Sequence, residues 1–222
     1  MAPTETGPPP RPDMVRGGAP RWCQGWWSAA RACPSPNASK RPEACSPSLL
    51  VLHAISLPPG QYGGDHIERL FTNRLDWAEH SYFETIRGLQ VSAHFLVRRD
   101  GALLQFVSAD RRAWHAGTSS WRGRENCNDW SIGIELEGLE GQLFEPAQYA
   151  ALAALAAAIA LQYPVDEVVG HEHIAPGRKL DPGPGLHWQA LVHRRDWPAG
   201  IRCQVPGLDP AGSAAPAPQP GR

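Results

Sequence analysis

The uneven placement of proline sets the strongest limit on what this chain can fold into. Of its 23 prolines, ten lie in residues 1–47 and five in residues 206–222. Proline lacks a backbone N–H and fixes φ, so proline-rich segments seldom form helices or sheets. We therefore expect a disordered extension over 1–21, one folded domain over 22–203 and a disordered Pro/Ala-rich tail over 204–222.

Length and charge limit the classes of function. A chain of 222 residues is long enough for one ordinary domain with a sizeable core. Lys and Arg number 21 and Asp and Glu 22, so the formal net charge is -1. This balance is unlike that of a nucleic-acid binder or a polybasic membrane-surface protein. We expect neither partner, and we expect a monomer because no exposed apolar heptad indicates a dimer.

The N-terminus and the cysteines bear on the cellular compartment. The first residues contain no apolar stretch typical of a secretory signal peptide, and no apolar run approaches the roughly 20 residues of a membrane span. These features predict a cytoplasmic protein that starts at Met1 or Met14. The five cysteines are irregularly spaced and form no C-x-x-C pair. They predict reduced thiols rather than a disulfide framework or a thiolate zinc cluster.

Apolar patterning predicts an α/β fold, with a single domain built on a mixed central β-sheet flanked by helices. The strands predicted from apolar runs are 48–53, 92–98, 102–107, 131–137 and 165–169. The predicted helices are 67–71, 147–163 and 186–194. An Asp-Gly turn at 100–101 predicts a hairpin between the second and third strands. Residues 22–47 are expected to form an irregular arm that is anchored by its tryptophans.

Two histidines and one aspartate form a candidate metal site. His53 ends a predicted buried strand, His171 follows another, and Asp181 lies in the Pro- and Gly-rich loop after it. Two imidazoles and a carboxylate are the ligand set of an open catalytic zinc site. The chain has nine histidines, however, so the pattern alone also fits hydrogen-bonded core histidines. His171 and His173 offer an alternative chelating pair.

Two further residues indicate hydrolytic chemistry. Glu135 lies on the alternating strand 131–137, on the same face as Gly133 and Glu137, so this face is either solvated or part of a site. Lys179 lies two residues before one of the candidate metal ligands. A glutamate can accept a proton from an attacking water, and a lysine can stabilise the oxyanion that forms at a carbonyl. With zinc, these groups predict an amide-hydrolysing site.

A series of sequence blocks resembles the type 2 N-acetylmuramoyl-L-alanine amidases. This superfamily includes peptidoglycan recognition proteins and the phage T7-type lysozyme. The resembling blocks are 48–60, 91–94, 98–101, 112–117, 127–138, 170–171 and 174–184. The resemblance runs from about residue 25 to residue 191 and is strongest to the cytoplasmic enzymes that act on 1,6-anhydro-muropeptides. It implies the fold of that superfamily.

The resemblance also implies a set of functional residues. It implies that a single Zn²⁺ is bound by His53, His171 and Asp181. It further implies that Glu135 is the catalytic acid and base, and that Lys179 stabilises the oxyanion. The implied reaction is hydrolysis of the amide between the lactyl group of 1,6-anhydro-N-acetylmuramic acid and L-alanine. In cells this reaction would serve peptidoglycan recycling and keep the inducer of β-lactamase low.

Substrate contacts are implied at four positions. Trp114 and His115 resemble the wall that meets the muropeptide, and Arg178 would face its peptide. Ala54 follows the first metal ligand at a position where the resembling proteins usually carry asparagine.

Two other functions are consistent with the same fold. A non-catalytic cell-wall sensor would be expected to lack a metal ligand, and here none is missing. A lytic amidase acting on intact wall would need export, for which the N-terminus shows no signal.

Overall fold

A computed structural model describes residues 19–205 of the chain. The strands are β1 Trp22–Cys23, β2 Trp26–Trp27, β3 Arg31–Ala32, β4 Ala38–Lys40, β5 Leu49–Ile55, β6 Phe95–Val97, β7 Leu103–Gln105, β8 Arg111–Ala113, β9 Ser120–Trp121, β10 Arg124–Glu125, β11 Ser131–Glu137, β12 Glu167–Gly170 and β13 Arg202–Cys203. The helices are α1 His66–Phe71, α2 Ser81–Thr85, α3 Pro146–Gln162, α4 His171–Ile174 and α5 Trp188–Val192. A short 3-10 turn covers Cys127–Asp129.

A seven-stranded mixed sheet forms the centre of the fold. Its strand order is β13-β12-β5-β11-β6-β7-β3. Neighbouring strands run parallel except β6 and β7, which form the antiparallel hairpin predicted from the Asp-Gly turn. The predicted fold class, an α/β domain on a mixed central sheet flanked by helices, is confirmed.

Strands β5 and β11 form the middle of this sheet because both are apolar on two faces. They pair in parallel along seven residues, from Ser131 opposite Leu49 to Glu137 opposite Ile55. Every residue of β11 is buried, as are the first five residues of β5. Strands buried on both faces are typical of parallel sheets covered by other elements on each side.

Helix α3 covers one face of the sheet, and the opposite face is left for other elements. Leu50 and Leu52 of β5 pack in the same apolar cluster as Leu152 and Ile159 of α3. Side chains alternate along a strand, so Leu49, Val51 and His53 point to the other face. The alanines of α3 allow its backbone to approach the sheet closely.

The arm over 22–47 is more regular than the sequence indicates. Within it, β1 pairs with β2, whereas β4 pairs with β8 outside the arm and β3 joins the edge of the central sheet. The prediction of an irregular arm is therefore wrong in part. Strands β3 and β4 pair with backbone far along the chain, and the two-residue strands β1 and β2 are too short to give a clear local pattern. The predicted tryptophan anchoring is confirmed. The Trp22 ring packs edge-on against Phe95 and Tyr163, and its Nε1 donates to the carbonyl of Ala158 at 3.0 Å.

Other element boundaries differ from prediction in length. Strand 131–137 is confirmed in full, whereas β6, β7 and α5 are shorter than predicted. Helix α2 and strand β13 were not predicted. Both are short, and β13 is added to the sheet only through its pairing with β12.

The chain ends and thiols complete the description. The predicted disordered ends lie outside the described residues except for 19–21 and 204–205, so that division stays a prediction. Within the described range, no helix has both the length and the apolarity to cross a membrane. All five cysteines are free thiols. Burial raises the pKa of the Cys203 thiol to about 11.

Candidate active site

The three candidate metal ligands come from two neighbouring strands and one loop. His53 lies on β5, and Gly170 at the end of β12 pairs with Leu52, so His171 follows beside His53. Asp181 lies in the loop after α4, and its backbone carbonyl accepts a hydrogen bond from the Glu172 N–H at 2.8 Å. This bond brings the loop back to the strand ends. All three side chains are buried.

The side-chain atoms of these residues converge on one point. Nδ1 of His53 lies 2.9 Å from Nδ1 of His171 and 3.1 Å from Oδ2 of Asp181. The remaining distance, from His171 Nδ1 to the same oxygen, is 3.0 Å. Tetrahedral zinc about 2.0–2.1 Å from its ligands spaces them about 3.3 Å apart, so this triangle fits the ion with little adjustment.

The hydrogen bonds around the triangle also suit a metal. Nε2 of His171 lies 3.0 Å from the carbonyl oxygen of Ala116. A carbonyl can only accept, so Nε2 carries the proton and Nδ1 keeps its lone pair for a ligand bond. The pKa of His53 is lowered to about 4, first by burial and then by the charge of His171. The neutral, metal-binding form is thereby favoured at ordinary pH.

Glu135 lies on the same sheet face as His53, directly opposite it in the pairing of β11 with β5. Its side chain is buried, and its Oε2 atom has no hydrogen-bond partner within residues 19–205. Burial raises the pKa of Glu135 well above its ordinary value, the charge of Asp181 raises it further, and Lys179 opposes the shift. A raised pKa makes the Glu135 carboxylate a stronger base than an exposed glutamate.

The alternative of a solvated carboxylate face is wrong. Glu137 is even more buried than Glu135, and its Oε1 accepts from Arg98 Nη1 at 2.8 Å and from the Gly63 N–H at 2.7 Å. Gly133, on the same face, leaves room for an imidazole, because a Cβ there would lie 2.5 Å from the ring of His115. Along this strand face, Gly133 leaves space for the His115 ring, Glu135 presents a carboxyl to the site, and Glu137 forms an ion pair with Arg98.

A cleft of about 260 Å³ opens onto these groups. It is lined by the three candidate ligands together with Glu135, Lys179, Ala54, Trp114 and His115. The cleft is also lined by Tyr82, Ile86 and Leu89, which sequence reasoning missed. Their signal was weak, namely apolar side chains in a mostly polar segment, and Leu89 remains 43% exposed.

Two residues that the sequence suggested as parts of the site lie outside it. Arg178 does not line this cleft; its Nη2 donates to the carbonyls of Ala116 at 2.7 Å and Thr118 at 2.6 Å. His173 is not part of the ligand triangle, because its Nδ1 accepts from the Gly170 N–H at 2.8 Å. The alternative chelating pair of His171 and His173 is therefore wrong, since α4 directs the two rings to different partners.

Comparison with known proteins agrees with this geometry. The family model for N-acetylmuramoyl-L-alanine amidase matches residues 43–184. The chain is 53% identical over 174 residues to 1,6-anhydro-N-acetylmuramyl-L-alanine amidase AmpD of Citrobacter freundii, covering 76% of this chain and 93% of that protein. It is 52% identical over 167 residues to AmpD of Escherichia coli K12, covering 74% and 91%.

Solved structures give the same result. A crystal structure of a selenomethionine derivative of AmpD superposes with a TM-score of 0.75 at 51% identity, covering 76% of this chain and 96% of that one. The match of family model, relatives and fold shows that this chain belongs to the N-acetylmuramoyl-L-alanine amidase family.

Proposed function

We propose that this chain is a zinc-dependent amidase acting on 1,6-anhydro-muropeptides. The bond cleaved would be the amide between the lactyl group of 1,6-anhydro-N-acetylmuramic acid and L-alanine. The observation that carries the proposal is the buried carboxyl of Glu135, whose Oε2 bonds no group in the described part of the chain. It lies in one cleft with the His53, His171 and Asp181 triangle. The substrate is supported by relatives that carry the corresponding name and are about half identical to this chain.

His53, His171 and Asp181 would hold one Zn²⁺. When bound, zinc supplies Lewis acidity toward the scissile carbonyl and toward a water molecule. Two neutral imidazoles and one carboxylate leave a fourth coordination position for these groups.

Glu135 would move the proton. In the ionised form it accepts a proton from the attacking water, and it then gives that proton to the departing nitrogen of L-alanine. Burial raises its pKa above the ordinary glutamate value, which suits a group that must act first as base and then as acid. Because Glu135 pairs in register with His53, its side chain lies on the sheet face where the substrate carbonyl must bind.

Lys179 and the cleft wall would act on the substrate. Lys179 lines the cleft with Glu135 and can stabilise negative charge on the carbonyl oxygen as the water attacks. Trp114, His115 and Ala54 line the same cleft and are available for contacts with the muropeptide. Arg178 would act on the peptide only at the margin of the cleft, since its guanidinium holds two backbone carbonyls.

The proposed setting is peptidoglycan recycling in the cytoplasm, with the lowering of a β-lactamase inducer as a consequence. The proposed substrate is a small soluble molecule. We infer a monomer that needs neither nucleic acid nor a membrane as partner, consistent with its near-zero net charge.

The decisive experiment compares two substrates and two metal states. Zinc-loaded and chelator-treated protein should each be assayed on soluble 1,6-anhydro-muropeptide and on intact sacculi. We expect hydrolysis of the soluble substrate only in the zinc-loaded sample, with release of L-Ala-peptide. Faster attack on sacculi would instead favour a lytic wall amidase, and zinc binding without any hydrolysis would favour a sensor.

A variant pair tests the proposed base. Glu135→Gln should lower turnover by about 100-fold or more with zinc still bound. Glu43→Gln, which changes an exposed carboxylate outside the cleft, should leave turnover unchanged. Near-normal turnover by Glu135→Gln would disprove the assignment.

A further inference from the structure

The ring of His115 connects the candidate metal centre to the protein interior. Its Nδ1 lies 2.9 Å from Nε2 of His53, and its Nε2 lies 3.1 Å from Oγ of Ser131. The Ser131 hydroxyl in turn lies 2.6 Å from the carbonyl oxygen of Cys127. A hydrogen-bonded chain of four groups therefore ends on a candidate metal ligand.

The Cys127 carbonyl, at the inner end of this series of hydrogen bonds, fixes which group donates and which accepts in each bond. A carbonyl only accepts, so the single hydroxyl hydrogen of Ser131 must point to Cys127. Ser131 Oγ then accepts from His115, which places the His115 proton on Nε2. A neutral imidazole has one N–H, so Nδ1 of His115 is an acceptor.

The same reasoning extends to the metal ligand. The proton between the two rings must belong to Nε2 of His53, because Nδ1 of His115 accepts it. Nδ1 of His53 is thereby left with its lone pair, and this is the atom that faces His171 and Asp181. The wrong tautomer would place a hydrogen where the metal has to bind.

We propose that His115 and Ser131 are positioning residues that select the metal-binding tautomer of His53. This inference rests on the metal centre of the proposed function, and it gives His115 a role beyond contact with substrate. Groups that orient metal ligands in this way typically contribute 10- to 100-fold to metal affinity.

The surroundings hold the His115 ring in place. The side-chain oxygen of Asn128 accepts from the backbone N–H of His115 at 3.1 Å and of Ala116 at 2.8 Å. Ala116 supplies the carbonyl that fixes the tautomer of His171. One asparagine thus places the groups that orient both histidine ligands, and Gly133 leaves the space that the ring fills.

The test measures the dissociation constant of zinc by competition with a chelator, using the purified full chain. His115→Leu removes the acceptor and should weaken binding by about 10- to 100-fold. His115→Asn places an amide oxygen near the position of Nδ1 and should restore affinity to within a few-fold of the parent. Ser131→Ala frees the His115 tautomer and should weaken binding by about 10-fold.

A matched control separates positioning from general loss of structure. Ser108→Ala removes another buried hydroxyl that bonds a carbonyl, that of Gln24, and should leave zinc affinity unchanged. In the metal-free protein, ¹⁵N shifts of the histidine rings should show His53 protonated at Nε2. Unweakened zinc binding by His115→Leu, failure of His115→Asn to restore it, or an Nδ1-protonated His53 would each overturn the inference.

The same variants separate this inference from the proposed function. If His115→Leu does not fold, the comparison of Ser131→Ala with Ser108→Ala decides, and equal zinc affinities in that pair overturn the positioning role. The predicted order of zinc affinities in a protein without amidase activity would support the positioning role while refuting the proposed function. Full amidase activity with equal zinc affinities in all variants would support the proposed function while refuting the positioning role.

Discussion

Glu135 and Glu137 lie two residues apart on one strand face, yet removal of their charges should have opposite consequences. Glu137→Gln should destabilise the fold, and Glu135→Gln should not. The Glu137 side chain is 2% exposed and its ion-pair partner Arg98 is 11% exposed, so this pair is shielded from solvent. Glu135 has an oxygen that bonds nothing in the described part of the chain.

The size of the effect follows from the bonds at Glu137. Its Oε1 accepts from Arg98 Nη1 and from the Gly63 N–H, and its Oε2 accepts from the Arg99 N–H at 3.3 Å. Glutamine keeps an uncharged oxygen that can accept from Arg98 and from the Gly63 N–H. Its NH₂ group, however, replaces Oε2 and faces the Arg99 N–H, which is then left without an acceptor. Loss of charge assistance and one unsatisfied N–H together cost about 3 kcal/mol.

The assay is urea and thermal unfolding of the parent and both variants. For a domain of this size about 3 kcal/mol corresponds to a decrease in Tm of roughly 6–12 °C. Glu135→Gln should unfold within about 1 kcal/mol of the parent, because the substitution removes a buried charge without a compensating bond. Equal destabilisation by the two substitutions, or none by Glu137→Gln, would refute this reading of the strand face.

Further predictions concern the interior, the metal and the arm. Gly133→Ala should displace the His115 ring and weaken zinc binding by about 10-fold or more, as measured by chelator competition. Burial, and then the charge of Arg41, lowers the pKa of His94 to about 3, so its folded form binds fewer protons than its unfolded form. Stability should therefore fall as pH decreases from about 6.5 toward 3, and less steeply in His94→Gln, by urea unfolding at each pH. Free zinc at 100 times its dissociation constant should raise stability by about 2.7 kcal/mol, and a chelator should abolish this gain. Trp22→Ala should cost about 2–3 kcal/mol in chemical unfolding, with little change in zinc affinity.

The sequence was sufficient to predict the elements that carry a strong local pattern. Strand 131–137 has an alternating pattern and is found with those bounds. The long alanine-rich helix and the hairpin at 100–101 also follow from local signals. The pairings of β3 and β4 could not be predicted, because these short strands depend on backbone partners far along the chain.

The candidate site divides in the same way. His53, His171 and Asp181 stood out by residue type and by their position after strands. The environment of Glu135 could not be predicted in this way. Only the packed structure shows that its carboxyl is buried and that its Oε2 has no partner among the described residues. The direction of the hydrogen bonds through His115 and Ser131 depends on a carbonyl oxygen, which no residue code reveals. Arg178 could be placed only when its carbonyl partners were known.

The two borders of the central sheet come from segments near the start and near the end of the described residues. Strand β3 covers the free side of β7, and β13 covers that of β12, each through only two residues. A shortened chain that lacked either border would leave a row of unpaired amides and carbonyls able to recruit another molecule edge to edge. Trimming within residues 31–32 or 202–203 should therefore promote self-association, even though both segments are far along the chain from His53 and Glu135.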